Sequence, residues 1–306
     1  MNKEFHQIVW DDRLAENWAA LLRLALDEDL GTSGDCTTMA LVDADALGRA
    51  DVVARQPGIV AGLPAVETTL ARVDARLQWS SHAEDGQRIE RGFRVGTVEG
   101  PARGLLAAER ILLNLLGRLS GIATLTRRYV DQVAHTNVRI YDTRKTTPGW
   151  RRLEKYAVRC GGGWNHRGGL DAAVLIKDNH LALGAKTADR TKRFTPAEAV
   201  GRARRFAEQR LGAPGMVIEI EVDTLEQLDA VLPARPDIVL LDNMTPAQLR
   251  EAAARRNTFD RAIELEASGG VDLATVKAIA ESGVERISVG ALTHSAVALD
   301  FGLDWA

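Results

Sequence analysis

Two kinds of hydrophobic pattern divide the chain. In the first half, apolar residues recur at helical spacing from Trp18 to Leu26, and Gly31 is placed to end that helix. Short strand-like runs separated by turn pairs follow, at Asp51–Ala54, Ile59–Val60, Arg76–Trp79 and Arg94–Val98. A strong helical pattern then begins near Leu105. This half is typical of an α+β unit.

The second half alternates between strands and helices. Six short runs are rich in apolar and β-branched residues: Val138–Tyr141, Ala173–Ile176, Met216–Val222, Asp237–Leu241, Ala262–Leu265 and Arg286–Val289. Helical patterns lie between most of them. Three helices start with a capping-box sequence at Thr195, Thr224 and Thr245, in which the Thr side chain and a Glu or Gln bond each other's backbone amides. Six strands alternating with helices predict parallel βα units and a (β/α) barrel.

A chemical cluster follows each of the six predicted strands. In a barrel these strand ends form one rim, and active sites lie there. The rim combines positive side chains, carboxylates and glycine-rich loops: Arg144, Lys145, Arg167, Lys177, Glu221, Asp242, Ser268-Gly269-Gly270 and Gly290-Ala291-Leu292. Basic residues beside glycine-rich loops predict a ligand that carries phosphate. The two carboxylates among them predict Mg²⁺ held jointly with substrate phosphates.

Composition excludes several other classes of protein. The 306 residues are 45% hydrophobic and 26% charged, which is typical of a globular chain of one large or two ordinary domains. The net charge of -3 and the scattered arginine pairs argue against a nucleic-acid-binding surface. Cys36 and Cys160 are too few for a disulfide framework or a zinc site, and they fit a reducing compartment.

The sequence also argues against a membrane protein. Its longest run without a charged side chain, residues 287–299, is shorter than the roughly 20 residues of a spanning helix. The N-terminus has no apolar signal core, and acidic residues follow at Asp11, Asp12 and Glu16. We therefore expect a cytoplasmic protein.

Long motifs, all in one order, resemble the quinolinate phosphoribosyltransferase family. They include Glu28–Gly31, Glu109-Arg110, Arg118–Thr124, Asp142–Gly149, Glu154–Val158, Gly161–Arg167, Leu175–His180, Leu241–Met244, Glu266–Gly270 and Ser288–Ser295. The resemblance spans nearly the whole chain. It implies an N-terminal α/β sandwich domain over residues 1–116 and an incomplete TIM-like α/β barrel of about seven strands over residues 117–306. The tail from about residue 296 is expected to pack on the first domain.

The resemblance also implies a reaction. Quinolinate and 5-phosphoribosyl 1-diphosphate would give nicotinate mononucleotide, pyrophosphate and CO₂, a step of de novo NAD biosynthesis. Mg²⁺ would accompany the diphosphate substrate. No organic cofactor is expected, because the ring nitrogen becomes positive and can stabilise the carbanion that the departing CO₂ leaves. A homodimer is implied, with assembly beyond the dimer left open.

Individual residues receive roles from the same resemblance. The quinolinate pocket would contain Arg144, His166, Arg167 and Lys177, with Arg110 entering from the partner subunit. Lys145 would face the phosphoribosyl diphosphate, Glu221 and Asp242 would hold Mg²⁺ and the ribose hydroxyls, and loops 268–270 and 290–292 would hold the 5-phosphate. Thr143 completes the substrate-binding set. The catalytic residues would be Lys145, Lys177, Glu221 and Asp242.

Several alternatives remain open at this stage. Glu219 and Glu221 are two residues apart on one strand and therefore lie on the same face. Either could reach the site, and only the resemblance selects Glu221. His180 and His294 are undecided between site and capping roles, and Trp164 stands where a smaller apolar residue is expected. The polar segment 184–193 predicts a loop.

Three rival functions are also possible on the residues alone. A molybdenum-transport paralogue shares the fold and much of the motif set. Lys177 at a strand end would suit a Schiff-base aldolase. A non-catalytic sensor of phosphorylated sugars would need the phosphate cradle, but it has little need for Glu221 and Asp242 together.

Overall fold

The computed structural model describes residues 3–184, 194–213 and 215–306. Internal contacts divide the chain into two compact units. One, here called the sandwich unit, comprises Gln7–Arg128, Lys145–Gly163 and Leu292–Ala306. The other, here called the barrel unit, comprises the N-terminal segment to His6, Tyr129–Arg144 and Trp164–Ala291. Residues 185–193, most of the segment for which the sequence predicts a loop, lie outside the described residues.

The helices and strands follow one another in this order along the chain: α1 (Asp12–Leu30), α2 (Cys36–Leu41), β1 (Leu47–Ala54), β2 (Gly58–Ile59), α3 (Pro64–Val73), β3 (Gln78–Ser81), β4 (Arg88–Ile89), β5 (Arg94–Pro101), α4 (Ala102–Val133), β6 (Arg139–Tyr141), α5 (Arg151–Cys160), β7 (Val174–Ile176), α6 (Asp178–Gly184), α7 (Pro196–Arg210), β8 (Ile218–Val222), α8 (Leu225–Val231), β9 (Ile238–Asp242), α9 (Pro246–Phe259), β10 (Glu264–Ser268), α10 (Val276–Ala280), β11 (Arg286–Ser288), α11 (Ala291–His294) and β12 (Phe301–Trp305). Among the described residues, none of these helices is both long and apolar enough to cross a membrane.

The sandwich unit is built on an antiparallel sheet in the order β12-β1-β5-β3. Its first helix confirms the sequence prediction: α1 ends at Gly31, which has a φ of 51°. The Asp11 carboxylate caps the start of α1 by accepting from the Leu14 amide. Along one face of α1 the helix buries Trp18, whose indole N–H donates to Thr69 Oγ1 at 3.1 Å.

The C-terminal tail belongs to the same unit. β12 pairs antiparallel with β1, so that Phe301 lies opposite Ala54. The segment just before β12 runs close to the middle of α4, where Leu299 N donates to the Gly117 carbonyl at 2.9 Å. Glycines on α4 permit this approach, because a side chain there would meet the backbone of the tail.

The barrel unit contains one parallel sheet in the order β6-β11-β10-β9-β8-β7. All six strands predicted for the second half are present, which confirms the α/β barrel class. Within the described residues this sheet has six strands, where the resemblance implies about seven. Trp164 forms a single parallel bridge to Tyr141 and so occupies one further position next to β6.

The strands of this sheet present two chemically different faces. On β8, Ile218, Ile220 and Val222 are buried on the apolar side, while Glu219 and Glu221 project from the opposite side. β10 alternates in the same way. Glu219, Glu266 and Arg286 on this polar side are fully buried, which identifies it as the interior of the barrel sheet.

Two of the three predicted capping boxes are confirmed, at Thr195 of α7 and Thr245 of α9. The third prediction, at Thr224, is correct for the Thr side chain but wrong for the Gln side chain. Thr224 caps the Gln227 amide at the start of α8, but Gln227 Oε1 accepts from the Asp223 amide at 2.8 Å instead of the Thr224 amide.

Gly121 of α4 should tolerate no side chain. A Cβ added there would lie 2.1 Å from the Val297 carbonyl oxygen and 3.0 Å from Ala298 Cα, both of them backbone atoms. We expect Gly121→Ala to lower the free energy of unfolding by about 1–3 kcal/mol, as overpacking does. The measurement is urea-induced unfolding followed by circular dichroism.

Gly201→Ala in α7 is the matched control for Gly121→Ala. The nearest atom to a Cβ at Gly201 is the flexible Arg205 Nη1 at 3.5 Å, so helix propensity should raise stability by about 0.5–1 kcal/mol. If Gly121→Ala were as stable as the wild-type protein, the close packing of α4 against the tail would be contradicted.

Candidate functional site

The carboxyl ends of the barrel strands bring several predicted residues together. Lys177 follows β7 directly, and its Nζ donates to Glu221 Oε2 near the end of β8. Asp242 ends β9. Because Glu221 lies opposite Leu240, Asp242 is two residues further along the same face of the neighbouring strand. Glu221 and Asp242 are therefore diagonal neighbours at the rim, a separation of roughly 7–8 Å between such positions.

The loops after β9 and β10 pack closely against each other at the same rim. The Asn243 amide donates to the Ser268 carbonyl at 2.9 Å. Gly269 has a φ of 91°, and a Cβ there would lie 2.2 Å from Asn243 Oδ1. Gly270 also has positive φ, at 58°. Only glycine fits this turn, and the turn leaves backbone rather than side chains at the rim. Gly290 and Ala291 lie just after β11, the strand next to β10 in the sheet.

Two arginines lie close enough to influence each other. Arg167 is buried, and its Nη1 donates to the Ala173 carbonyl at 3.1 Å. Burial, and then the charge of Arg144, lower the pKa of Arg167. Arg144 Nε is buried and has no hydrogen-bond partner among the described residues. A guanidinium group with an unused buried donor beside a second guanidinium is suited to bind an anion. Thr143 precedes Arg144 and is half-buried.

Asp142 holds the loop that carries His166 and Arg167. Its carboxylate is fully buried and accepts from the His166 amide at 2.9 Å and from Asn165 Nδ2 at 2.7 Å. The Asp142 amide in turn donates to the Trp164 carbonyl. The end of β6 therefore fixes the backbone from which both predicted pocket residues project.

The His166 side chain lies inside the barrel sheet rather than at its rim. Its Nε2 is 3.1 Å from Glu219 Oε2 and 3.4 Å from Glu266 Oε1. Burial opposes a charge on the imidazole, but the two carboxylates together raise the pKa of His166 to about 10. In the neutral tautomer Nδ1 accepts the Arg167 amide at 2.8 Å. Protonation of Nδ1 removes this acceptor, so the charged imidazole requires the Arg167 amide to shift away from Nδ1, while in either state the hydrogen on Nε2 faces the carboxylates.

Glu219 and Glu221 take different places although they share one strand face. Glu221 reaches the rim and Lys177, whereas Glu219 is fully buried beside His166. Sequence reasoning missed the buried group formed by Glu219, Glu266 and Arg286. The available signal was the spacing of charges at every second position within the strands, at Glu219 and Glu221 and again at Glu264 and Glu266.

Three other residues left open by the sequence have clear contacts. His180 Nδ1 accepts from the Lys177 amide at 3.0 Å, which is a capping role at the start of α6. His294 shares a hydrogen bond of 2.7 Å with the Ser295 hydroxyl. The large Trp164 ring is accommodated beside Arg139, whose Cζ lies 5.1 Å from the ring centroid, and beside Tyr141 at 6.4 Å between centroids.

The remaining predicted residues belong to the sandwich unit. Lys145 is exposed, and its carbonyl accepts from Thr293 Oγ1 at 2.7 Å. Leu292 is buried. Arg110 is exposed on α4, where its nearest ion-pair partner is the adjacent Glu109 at 3.2 Å. The roles that the resemblance gives Lys145 and Arg110 stay predictions.

A buried carboxylate orders the loop that begins at Lys145. Glu154 of α5 is fully buried and pairs with Arg118 at 2.6 Å. It also accepts from the Thr147 amide at 3.2 Å and from the Thr147 hydroxyl at 2.9 Å. One side chain thus connects α4, α5 and the loop.

The fold and the rim define a class: an α/β-barrel enzyme whose strand ends carry arginines, a lysine–carboxylate pair and glycine loops for an anionic small molecule. Two family descriptions match the chain, "Quinolinate phosphoribosyl transferase, N-terminal domain" over residues 35–120 and the corresponding C-terminal domain over residues 122–304. The chain belongs to the quinolinate phosphoribosyltransferase family.

Individual relatives agree with this assignment. Nicotinate-nucleotide pyrophosphorylase [carboxylating] of Mycobacterium leprae is 43% identical over 288 residues, covering 92% of this chain and 95% of the relative. Quinolinate phosphoribosyltransferase [decarboxylating] 2b of Nicotiana tabacum is 38% identical, covering 92% of this chain and 80% of the relative. The solved nicotinate-nucleotide pyrophosphorylase of Francisella tularensis has a TM-score of 0.87 at 33% identity and covers 100% of both chains.

Glu154→Ala should both destabilise the protein and impair turnover. It leaves the half-buried Arg118 without its carboxylate and frees the Thr147 loop, so we expect a loss of about 2–3 kcal/mol, below the value for a fully buried pair. Thermal unfolding and steady-state kinetics measure the two effects. Glu251→Ala is the matched control, because Glu251 forms an exposed pair with Arg255. Wild-type stability in Glu154→Ala would contradict the ordering role.

Proposed function

We propose that this protein transfers the phosphoribosyl group of 5-phosphoribosyl 1-diphosphate to quinolinate with decarboxylation. The products are nicotinate mononucleotide, pyrophosphate and CO₂, and the reaction is a step of de novo NAD biosynthesis. The observation that carries the proposal is the barrel rim, where Arg144 and Arg167 lie near each other and the Lys177–Glu221 pair follows at the next strand. The family assignment supports the same reaction.

Quinolinate suits the pair of arginines because it is a dianion with two adjacent ring carboxylates. Planar guanidinium groups bind carboxylates through two parallel hydrogen bonds. Arg144 has a buried donor without a partner among the described residues, and Arg167 is already buried. Binding the dianion would relieve the repulsion between the two positive charges. His166 adds a further positive charge beneath them when protonated.

The transfer step needs orientation and charge stabilisation rather than a covalent enzyme intermediate. The pyridine nitrogen attacks ribose C1, and the bond from C1 to the pyrophosphate oxygen breaks. Lys177 lies at the rim to meet negative charge on the substrates, and Lys145 keeps its assignment to the phosphoribosyl diphosphate. The new ring nitrogen is positive. Its charge stabilises the electron pair that stays on the adjacent ring carbon when the carboxylate leaves as CO₂, and a proton from solvent then bonds to that carbon, so an organic cofactor is not required.

Mg²⁺ is the cofactor that we propose with the diphosphate substrate. Glu221 and Asp242 fit it because they place two carboxylates on neighbouring strands of one face, and Mg²⁺ prefers a few carboxylate oxygens with substrate phosphates. When bound, the ion would neutralise charge on the leaving pyrophosphate. Loops 268–270 and 290–292 keep their assignment to the 5-phosphate.

We also propose a homodimer in which Arg110 enters the partner's pocket, and a cytoplasmic location. The exposure of Arg110 on α4 supports a role outside its own subunit. The rival functions have less support. A Schiff-base lysine needs a free amine, whereas Lys177 donates to Glu221. The relatives named above are neither molybdenum-transport proteins nor sugar sensors.

Purified protein incubated with quinolinate, 5-phosphoribosyl 1-diphosphate and Mg²⁺ should form nicotinate mononucleotide and CO₂, and chelation of Mg²⁺ with EDTA should stop product formation.

Lys145→Ala should lower kcat by about 10²–10³-fold, because a positive charge that stabilises the leaving pyrophosphate would be lost. Lys277→Ala on α10 is the exposed control and should keep full activity. Product formation by folded wild-type protein is the first measurement, and its failure would reject the proposed reaction.

A shared site can be tested by mixing inactive subunits. If Arg110 acts across the dimer, a heterodimer of Arg110→Ala and Lys177→Ala subunits has one intact site, and a random mixture should recover about a quarter of wild-type activity. Mixing Lys177→Ala with Glu221→Ala is the control, because both sites then stay damaged. Verified Arg110/Lys177 heterodimers without recovered activity would argue against a shared pocket.

A further inference from the structure

The N-terminal arm, Lys3–His6, enters the barrel unit at the end opposite the rim. Arg139 and Arg286 are the first residues of β6 and β11, and both pair with Glu4. The Tyr141 hydroxyl donates to Glu4 Oε2 at 2.9 Å. The arm is therefore held by ionic and hydrogen-bonded contacts to the amino ends of two neighbouring strands.

Phe5 extends this contact into the interior. Its ring is buried and lies 4.4 Å from the His166 ring, centroid to centroid, at an interplanar angle of 34°. Arg286 Cζ lies 5.3 Å from the Phe5 ring centroid. Phe5 also belongs to an apolar cluster with Ala173, Val217 and Ile238. The arm thus contacts a residue of the predicted substrate pocket from below.

Carboxylates hold the same imidazole from the side. Glu219 and Glu266 face His166 Nε2 from β8 and β10, and Arg286 Nε lies 3.7 Å from Glu266 Oε2. Burial opposes ionisation of Glu266, but His166, Arg286 and the Ser288 hydroxyl keep its pKa below the usual value. Glu219 is the nearer partner of His166 Nε2, and Glu266 is a second carboxylate beside it whose charge Arg286 balances from the other side.

The cluster of His166, Glu219 and Glu266 has the ligand types that bind a divalent metal ion. The ligand atoms of His166, Glu219 and Glu266 lie within 4.8 Å of one another. However, Arg286 pairs with the Glu266 carboxylate, and a cation between them would bring two positive charges together. Charge balance favours an ion-paired histidine over a metal centre.

We propose that Phe5 and Glu266 are positioning residues that hold His166 for quinolinate, so that the N-terminal arm fixes the substrate pocket from the far end of the barrel. The inference rests on the proposed function, because quinolinate is the ligand that a charged His166 would attract. A His166 ring packed against Phe5 and flanked by Glu219 and Glu266 has few alternative rotamers. Its orientation is then set before substrate binds, and less ordering is needed on binding.

Kinetics of Phe5→Leu and Glu266→Gln test this role. Leucine keeps the apolar volume of Phe5 but removes the stacked ring, so we expect KM for quinolinate to rise about two- to tenfold. KM for 5-phosphoribosyl 1-diphosphate should not change. His6→Ala, an exposed change in the same arm, and Glu251→Gln, which breaks an exposed ion pair with Arg255 on α9, are the matched controls. Both should keep the wild-type KM for quinolinate.

The pH profile supplies a second readout that a merely structural role would not move. The groups facing His166 are Glu219, Glu266 and Phe5, with Arg286 behind Glu266. Removing the Glu266 charge lowers the pKa of His166, so the imidazole loses its proton at a lower pH than in the wild-type protein. In Glu266→Gln, KM for quinolinate should therefore be close to wild type at acid pH and rise at a lower pH than in the wild-type enzyme.

The possible outcomes separate the two proposals. An inactive wild-type protein would reject the proposed function, and this inference would be rejected with it. An active wild-type enzyme with unchanged KM for quinolinate in both variants would overturn only the positioning role. Stoichiometric bound metal that is lost in Glu266→Gln would overturn the ion-pair assignment. If Phe5→Leu does not fold, the isosteric Glu266→Gln carries the test.

Discussion

Arg286 is fully buried in the barrel unit, and its charge has to be balanced there because water cannot solvate it. Three carboxylates supply that balance: Glu264 at 3.4 Å, Glu4 at 3.5 Å and Glu266 at 3.7 Å. Burial lowers the pKa of Arg286, but these carboxylates together with Tyr141 raise it further than burial lowers it. The guanidinium also lies 4.2 Å from the Tyr141 ring centroid, which provides a cation–π contact.

This single charge connects the arm, the strands and His166. Without Arg286, Glu266 would keep only His166 as a positive neighbour and Glu4 would keep only Arg139 and the Tyr141 hydroxyl. Removing one partner of a buried ion pair is costly. The charge of Glu266 beside His166 would then lose its balance from the other side. The polar interior of the barrel sheet is therefore a connected arrangement, in which the contacts at the amino ends of the strands determine the charge below the substrate site.

The six barrel strands could be predicted from the sequence because each strand has apolar residues that cover its outer face. On β8 these residues are Ile218, Ile220 and Val222. The interior contacts could not be predicted in the same way. Charged residues at alternate strand positions are usually read as solvent-facing, and their burial depends on closure of the sheet. The Thr224 capping box was wrong for a similar reason: Gln227 has two amides within reach, and spacing does not choose between them.

Glu219 and Glu221 show how depth within one barrel separates two identical side chains. They are two residues apart on the same face of β8, about 6–7 Å along the strand. Glu221 contacts Lys177 at the rim, where we propose that it holds Mg²⁺ together with the substrate phosphates. Glu219 meets His166 and Glu266 in the interior, where burial and the charge of Glu266 raise its pKa. A carboxylate at the inner position favours the protonated form or a cationic partner, whereas the outer position is the one to which we assign a role in substrate chemistry.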